Sequence, residues 1–167
     1  MDASGVVVPE ETPNGIYGLF GKYRDLSNFS PHKVTVDGLT FHTSEAAYMA
    51  EKTNVPEEKL YLTHIVLGKD AKKYGQTVTL REDWDYNRGE VKVQAMLKVL
   101  RAKFSQHRDL AALLLSTGDK YLEETNWWGD KFWGKCGGEG RNMLGLILMA
   151  IRAELRTELY VASLLAP

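Results

Sequence analysis

Apolar residues at Val93, Met96, Leu97, Leu100 and Phe104 recur at i, i+3, i+4, i+7 and i+11, which predicts an amphipathic helix. A second stripe, Leu144, Ile147, Leu148, Ile151 and Leu155, predicts the last strong helix. Three shorter helices are predicted from their start signals. One begins at Thr43 or Ser44, whose hydroxyl caps the first free amides, and runs to about Thr53. Another opens at Pro56-Glu57-Glu58, with proline and acids in the first turn, and reaches Leu67. The third is capped by Asp109, runs through Leu115 and is ended by Gly118. Gly68 and Gly75 punctuate a short segment bearing Lys69, Lys72 and Lys73. Strand character is confined to Ile16–Phe20, to an extended Val78–Leu80, to a short strand or turn at Tyr121–Glu124, and to a hairpin. The hairpin joins Val34-Thr35-Val36 to Leu39-Thr40-Phe41 through Asp37-Gly38.

Residues 1–14 read as a flexible lead-in, 15–156 as the domain, and 157–167 as an apolar tail that docks. No internal repeat or linker composition interrupts the domain. The pattern predicts a single compact, mainly helical α+β domain with a small β element.

Composition narrows the classes. With 167 residues, 44% hydrophobic and 26% charged, the chain has ordinary globular usage, neither disordered nor collagen-like. No apolar run approaches the ~18 residues of a membrane span. The start, Met1-Asp2-Ala3-Ser4-Gly5, lacks the basic and apolar regions of a secretory signal. A lone Cys136 makes no internal disulfide, so a reducing, intracellular setting (cytoplasmic or nuclear) is expected. A net charge of -1 argues against a long footprint on a nucleic-acid backbone but permits contact with one nucleotide or one phosphate pair. His32, His42, His64 and His107 show no metal-ligand spacing, so no metal is expected. Cys136 has no histidine near it in sequence to make it a reactive thiol.

Three segments carry candidate chemistry. In Thr43–Lys52, positions 45, 48, 49 and 52 share a helical face, so Glu45, Tyr48 and Lys52 project together beside Met49. That face offers an acid or base and an amine nucleophile. Charge placement against the helix dipole explains Glu45 and Lys52 equally well. In Asn126–Gly134, Trp127, Trp128 and Trp133 crowd a glycine-broken stretch whose rings either stack on a planar base or pack a corner. Asp130 beside Gly129 is placed to balance positive charge on a substrate. Gly134–Asn142 leads into the final helix, so backbone amides with Arg141 and Asn142 form either an anion or ribose site or a plain loop. Its spacing is neither the Walker nor the Rossmann pattern. Arg24, Ser27 and Asn28 are hydrogen-bonding candidates in the Tyr23–Pro31 loop. Trp84 reads as an exposed tryptophan among charges, while Lys92, Lys98, Arg101, Lys103 and Arg108 read as a solvated helix side.

Taken in order, Leu26-Ser27-Asn28-Phe29, Val36-Asp37-Gly38, Thr43-Ser44-Glu45-Ala46-Ala47-Tyr48 with Lys52, Arg81-Glu82-Asp83-Trp84, Leu100–Phe104, Trp128-Gly129-Asp130 and Gly140–Gly145 resemble the NADAR, or YbiA-like, family. The resemblance covers about Tyr17 to Arg152. It implies an α+β YbiA-like fold and cleavage of an N-glycosidic bond without metal or other cofactor. It implies two substrate groups: ADP-ribose on guanine in nucleic acid, and phosphorylated ribosylated intermediates of riboflavin synthesis. Glu45 matches the family's functional glutamate, and Lys52 matches a motif lysine able to capture the released sugar as a Schiff base. On this reading Glu45, Lys52 and Asp130 are catalytic. The substrate contacts are Arg24, Ser27, Asn28, Tyr48, Trp84, Lys103, Trp127, Trp128, Gly129, Arg141 and Asn142. Removal of ADP-ribose from guanine is the favoured activity, on DNA ahead of RNA, with ADP-ribose as product ligand. Two other classes fit the sequence: a module that binds ADP-ribose without turnover, and a scaffold whose tryptophans form an interface.

Overall fold

The hairpin and the helix after it show how closely local signals set the backbone. In the computed structural model, which describes residues 9–166 apart from the side chains of Asn87 and Arg88, β3 (Val34–Val36) and β4 (Leu39–Phe41) pair antiparallel with Val36 opposite Leu39. Asp37 and Gly38 take positive φ of 49° and 78°, the twist that a two-residue connection requires. Helix α1 (Ser44–Ala50) starts where Thr43 Oγ1 accepts the Ala46 amide at 3.1 Å. It ends at Ala50, short of the predicted Thr53, and all its residues are buried.

The described residues form two units: residues 27–107, and residues 9–26 together with 108–166. Each of the two hydrophobic stripes is satisfied inside its own unit, and a stripe does not reveal which partner will cover it.

In the 27–107 unit, α1 is covered by α2 (Pro56–Thr63), α3 (Gly68–Tyr74), α4 (Glu90–Gln106) and the hairpin. The lysine-bearing segment between the glycines is thus a helix, and α2 stops at Thr63 rather than Leu67. Val78–Leu80 forms no strand. The amide of Thr79 goes to the Glu58 carboxylate at 3.0 Å instead of to a neighbouring strand. Helix α4 buries Ala95, Met96, Val99, Leu100 and Phe104, at about 1.5–3 kcal/mol for each large side chain. Val93 and Leu97 are half-buried at the stripe's edge.

In the other unit, β1 (Glu10–Glu11) pairs antiparallel with β2 (Gly15–Tyr17), which pairs parallel with β5 (Tyr121–Glu123). Part of the expected flexible lead-in is therefore a strand; residues 1–8 lie outside the described residues. Glu11 fastens it, with its carboxyl held down to about 2 by Lys120, Lys22 and the Tyr23 hydroxyl. A 3-10 turn spans Gly21–Leu26. Helix α5 (Arg108–Ser116) packs against α6 (Met143–Leu165), and β6 (Thr125–Asn126) pairs parallel with β7 (Lys135–Cys136). The expected docked tail is instead the continuation of α6, with Leu159, Tyr160, Val161, Leu164 and Leu165 exposed. Its residues are good enough helix formers to extend the helix past the last side chains it buries. Among the described residues no helix is long and apolar enough to cross a membrane.

Helix α6 comes unusually near β5. A Cβ on Gly145 would lie 2.1 Å from the Leu122 carbonyl oxygen. Gly145→Ala should therefore cost about 1–3 kcal/mol, read as a lower urea midpoint with unchanged m-value.

Candidate functional site

The chemistry-bearing residues of the 27–107 unit form a connected set around α1. Asn28 gives its carbonyl to the Glu45 amide at 3.0 Å and to the Ser44 hydroxyl at 3.3 Å, fixing the first turn of α1. Glu45 itself is only 6% exposed. Tyr48 is buried one turn on and meets the Trp84 ring at 5.6 Å and 45°. Trp84 is therefore an interior residue at 4% exposure, not the exposed indole expected, because Tyr48 takes its face.

Lys52 lies just beyond α1, tied at three points. Its amide donates to Met49 O at 3.2 Å, its carbonyl accepts the Arg81 amide at 2.8 Å, and its amine donates to the Gly75 carbonyl. Burial pushes the amine below the ordinary lysine range, and the charge of Lys92 adds to this. Glu45 and Asp85 oppose the shift by favouring the charged amine. Asp85 also holds Lys92 in an ion pair.

Lys103 is fully buried, which overturns its place on a solvated helix side. Its amine donates to Ser27 O at 2.8 Å and Ser30 Oγ at 2.9 Å, so the loop before the hairpin folds around a buried amine. Asn28 Oδ1 in that loop is buried without a hydrogen-bond partner, while its Nδ2 meets Met96 Sδ at 3.2 Å. A cavity of about 370 Å³ is lined by Glu51, Arg81, Tyr86, Glu90 and Lys98, the first two being backbone neighbours of Lys52. A second, of about 610 Å³ between Tyr61 and Tyr74, holds none of the expected residues.

In the other unit, Trp127 and Trp128 are 64% and 50% exposed and stand edge to face at 5.2 Å, with Phe20 behind Trp127 at 5.6 Å. Asn126, which the sequence reading passed over, clamps their loop. Its Oδ1 accepts the Asp130 amide at 3.0 Å, and its Nδ2 donates to Asp130 O at 2.7 Å and Lys135 O at 3.1 Å. Asp130 turns its Oδ1 to the amides of Phe132 and Trp133 at 3.1 and 2.8 Å, which shapes the same loop. Gly129 has a positive φ of 85° and is exposed. Arg141 is exposed, with its guanidinium over Phe132 at 4.7 Å, and Arg24 is exposed.

Asn142, expected among the substrate contacts, is engaged as an internal brace. It is 1% exposed, accepts the Glu124 amide at 2.9 Å and donates to Tyr121 Oη and Leu122 O, each at 2.8 Å. The Cys136–Glu139 glycines serve a tight turn, with Gly137 and Gly138 at positive φ and Cys136 and Glu139 exchanging backbone hydrogen bonds. Among the described residues no group of three His, Cys, Asp or Glu is placed to hold a metal.

The α+β fold thus places a buried carboxylate in the first turn of α1 and a half-buried lysine just past the end of that helix. The NADAR domain model matches residues 14–156, and the chain belongs to that family. It is 37% identical over 155 residues to N-glycosidase YbiA of Escherichia coli, covering 90% of this chain and 93% of that one. The NMR structure of E. coli YbiA superposes with a TM-score of 0.74 at 35% identity, covering 97% of this chain and 92% of that chain. A riboflavin biosynthesis protein of Vibrio vulnificus is 35% identical over 133 residues, covering 78% of this chain but 35% of its own length.

Asn126→Ala should release the tryptophan loop. The loss of its three hydrogen bonds predicts a cost of about 2–4 kcal/mol in thermal denaturation, with altered tryptophan emission before unfolding.

Proposed function

We propose that the chain is an N-glycosyl hydrolase that releases a base from ribose, and that its substrate is ADP-ribose attached to guanine in nucleic acid. The observation that carries the hydrolase reading is the placement of buried Glu45 in the first turn of α1 and of half-buried Lys52 just past that helix, its amine on the Gly75 carbonyl. The relatives named N-glycosidase support it. The exposed Trp127–Trp128 pair favours a nucleobase-bearing substrate, since indole faces stack on any base.

When the bond from C1′ to the base nitrogen breaks, its electron pair leaves with the base and positive charge develops on the ribose. Glu45 as carboxylate stabilises that charge. Its position in the first turn of α1 favours this charged form. Neutral Lys52 attacks C1′ with its nitrogen lone pair. The ring C1′–O bond opens to a Schiff base, which water hydrolyses, returning the amine and releasing the sugar. Burial of Lys52 serves this step, because it raises the neutral fraction of the amine near neutral pH. In the direct route, Glu45 takes a proton from the attacking water instead.

A second reading is cleavage of a phosphorylated ribosylated intermediate of riboflavin synthesis, favoured by the relatives whose names place them in that pathway. A side-by-side assay separates the two. An oligonucleotide bearing ADP-ribosylated guanine and a riboflavin-pathway intermediate are each incubated with the chain, and base release is read by mass. Turnover of the oligonucleotide alone is expected; turnover of the intermediate alone moves the assignment to the second reading, and binding of ADP-ribose with no turnover of either replaces it with a binding module.

Three further outcomes are expected. Glu45→Gln keeps the side-chain shape and should lower kcat by about 10²–10⁴-fold. Lys52→Ala should abolish the adduct trapped by borohydride during turnover. An adduct that survives assigns the trapped amine to a different lysine. The acid limb of kcat should fall at a pH below that of an ordinary lysine, since the amine must lose its proton and its folded-state pKa is lowered.

A further inference from the structure

We infer that Gly75 is a positioning residue for Lys52: its carbonyl oxygen sets the direction of the amine, and its missing side chain lets the end of α3 come close enough to α1 to do so. The inference rests on the reading of Lys52 as the amine nucleophile.

Gly75 has ordinary right-handed backbone angles, φ -61° and ψ -8°, so conformational freedom does not explain a glycine there. Space does. A Cβ would lie 2.1 Å from Met49 Sδ, 2.5 Å from its Cγ and 2.8 Å from its Cβ. The last of these is close to the α1 backbone and cannot swing away as a side-chain tip can. Met49 is 6% exposed and packed, so a methyl at position 75 must move α3 away from α1. The carbonyl that accepts the Lys52 amine belongs to this same residue. The Gly75 amide is fixed in turn to Ala71 O at 2.8 Å, so the carbonyl moves only with the helix end.

One N–H of Lys52 pointed at a fixed acceptor leaves the amine only rotation about that bond. The lone pair of the neutral form is then confined to directions away from Gly75. A flexible four-carbon side chain otherwise loses that alignment, and orientation is a large part of what a bound nucleophile contributes. The charged groups that face the amine are Glu45 on α1, Lys92 on α4 and Asp85 ahead of α4; α3 contributes the uncharged carbonyl.

The test uses the full chain with Gly75→Ala, Gly75→Ala/Met49→Ala and Lys52→Ala. Two readouts are taken: steady-state kinetics on the substrate that the wild type turns over, and the pH midpoint of Lys52 acylation by a lysine-directed reagent, read by mass. Gly75→Ala should lower kcat on the order of 10²-fold with KM changed by less than about threefold. It should also move the Lys52 midpoint to lower pH, because an acceptor of the ammonium form is lost. Removing the Met49 side chain makes room for the methyl, so the double variant should recover most of both. Wild-type kcat and midpoint in Gly75→Ala overturn the inference. So does a fall in kcat with no change in midpoint, which is what a loss of folded protein gives. If Gly75→Ala does not fold, the double variant decides: a wild-type midpoint and kcat support the inference, and a displaced midpoint overturns it. Lys52→Ala separates the two levels. Normal turnover there removes Lys52 from the chemistry, while the acylation midpoints still report whether Gly75 directs the amine.

Discussion

Helix α1 is buried on every side and carries a carboxylate in its first turn. Taking Glu45 out of water costs several kcal/mol unless the surroundings return most of it. The chain ahead of the hairpin folds back so that the Asn28 carbonyl meets the helix start, and that fold-back is held by the fully buried amine of Lys103 through Ser27 and Ser30. An amine with no exposure is costly to bury unless its hydrogen bonds are met, so the loop, the helix start and α4 stabilise one another as a set.

Lys52 shows the same economy in reverse. It is half-buried, so the protein does not solvate the amine fully. Burial and Lys92 disfavour the charged form; Glu45 and Asp85 favour it. Asp85 is paired with Lys92, so the two loop and helix charges largely offset each other at a distance. Desolvation then sets the direction.

Periodicity made the helices legible. The α4 and α6 stripes stand at the expected positions, and Thr43 caps α1 as its hydroxyl predicts. The Asp37-Gly38 turn was equally readable, because only a few residue pairs tolerate its geometry. What the pattern could not carry was anything decided by tertiary neighbours. Lys103 sits on α4 where a lysine ordinarily faces water, and only the Ser27 and Ser30 acceptors make its burial possible. Trp84 stands among charged residues yet turns inward to Tyr48. The spacing reads Lys52 onto the face of Glu45, but the helix ends at Ala50 and Lys52 is placed by a turn and by the Gly75 carbonyl.

The polar and aromatic residues after β5 divide by what their atoms already do. Asn126, Asp130 and Asn142 spend their side-chain groups on backbone amides and carbonyls nearby, and a group so engaged must break those bonds before it serves a ligand. Trp127, Trp128 and Arg141 keep their large surfaces in water, and exposed indoles held on a clamped loop lose little freedom when a planar partner stacks on them. A motif that reads as one contiguous binding stretch is therefore two kinds of residue. The buried ones fix the shape of the loop, and any affinity for a base must come from the rings that shape presents.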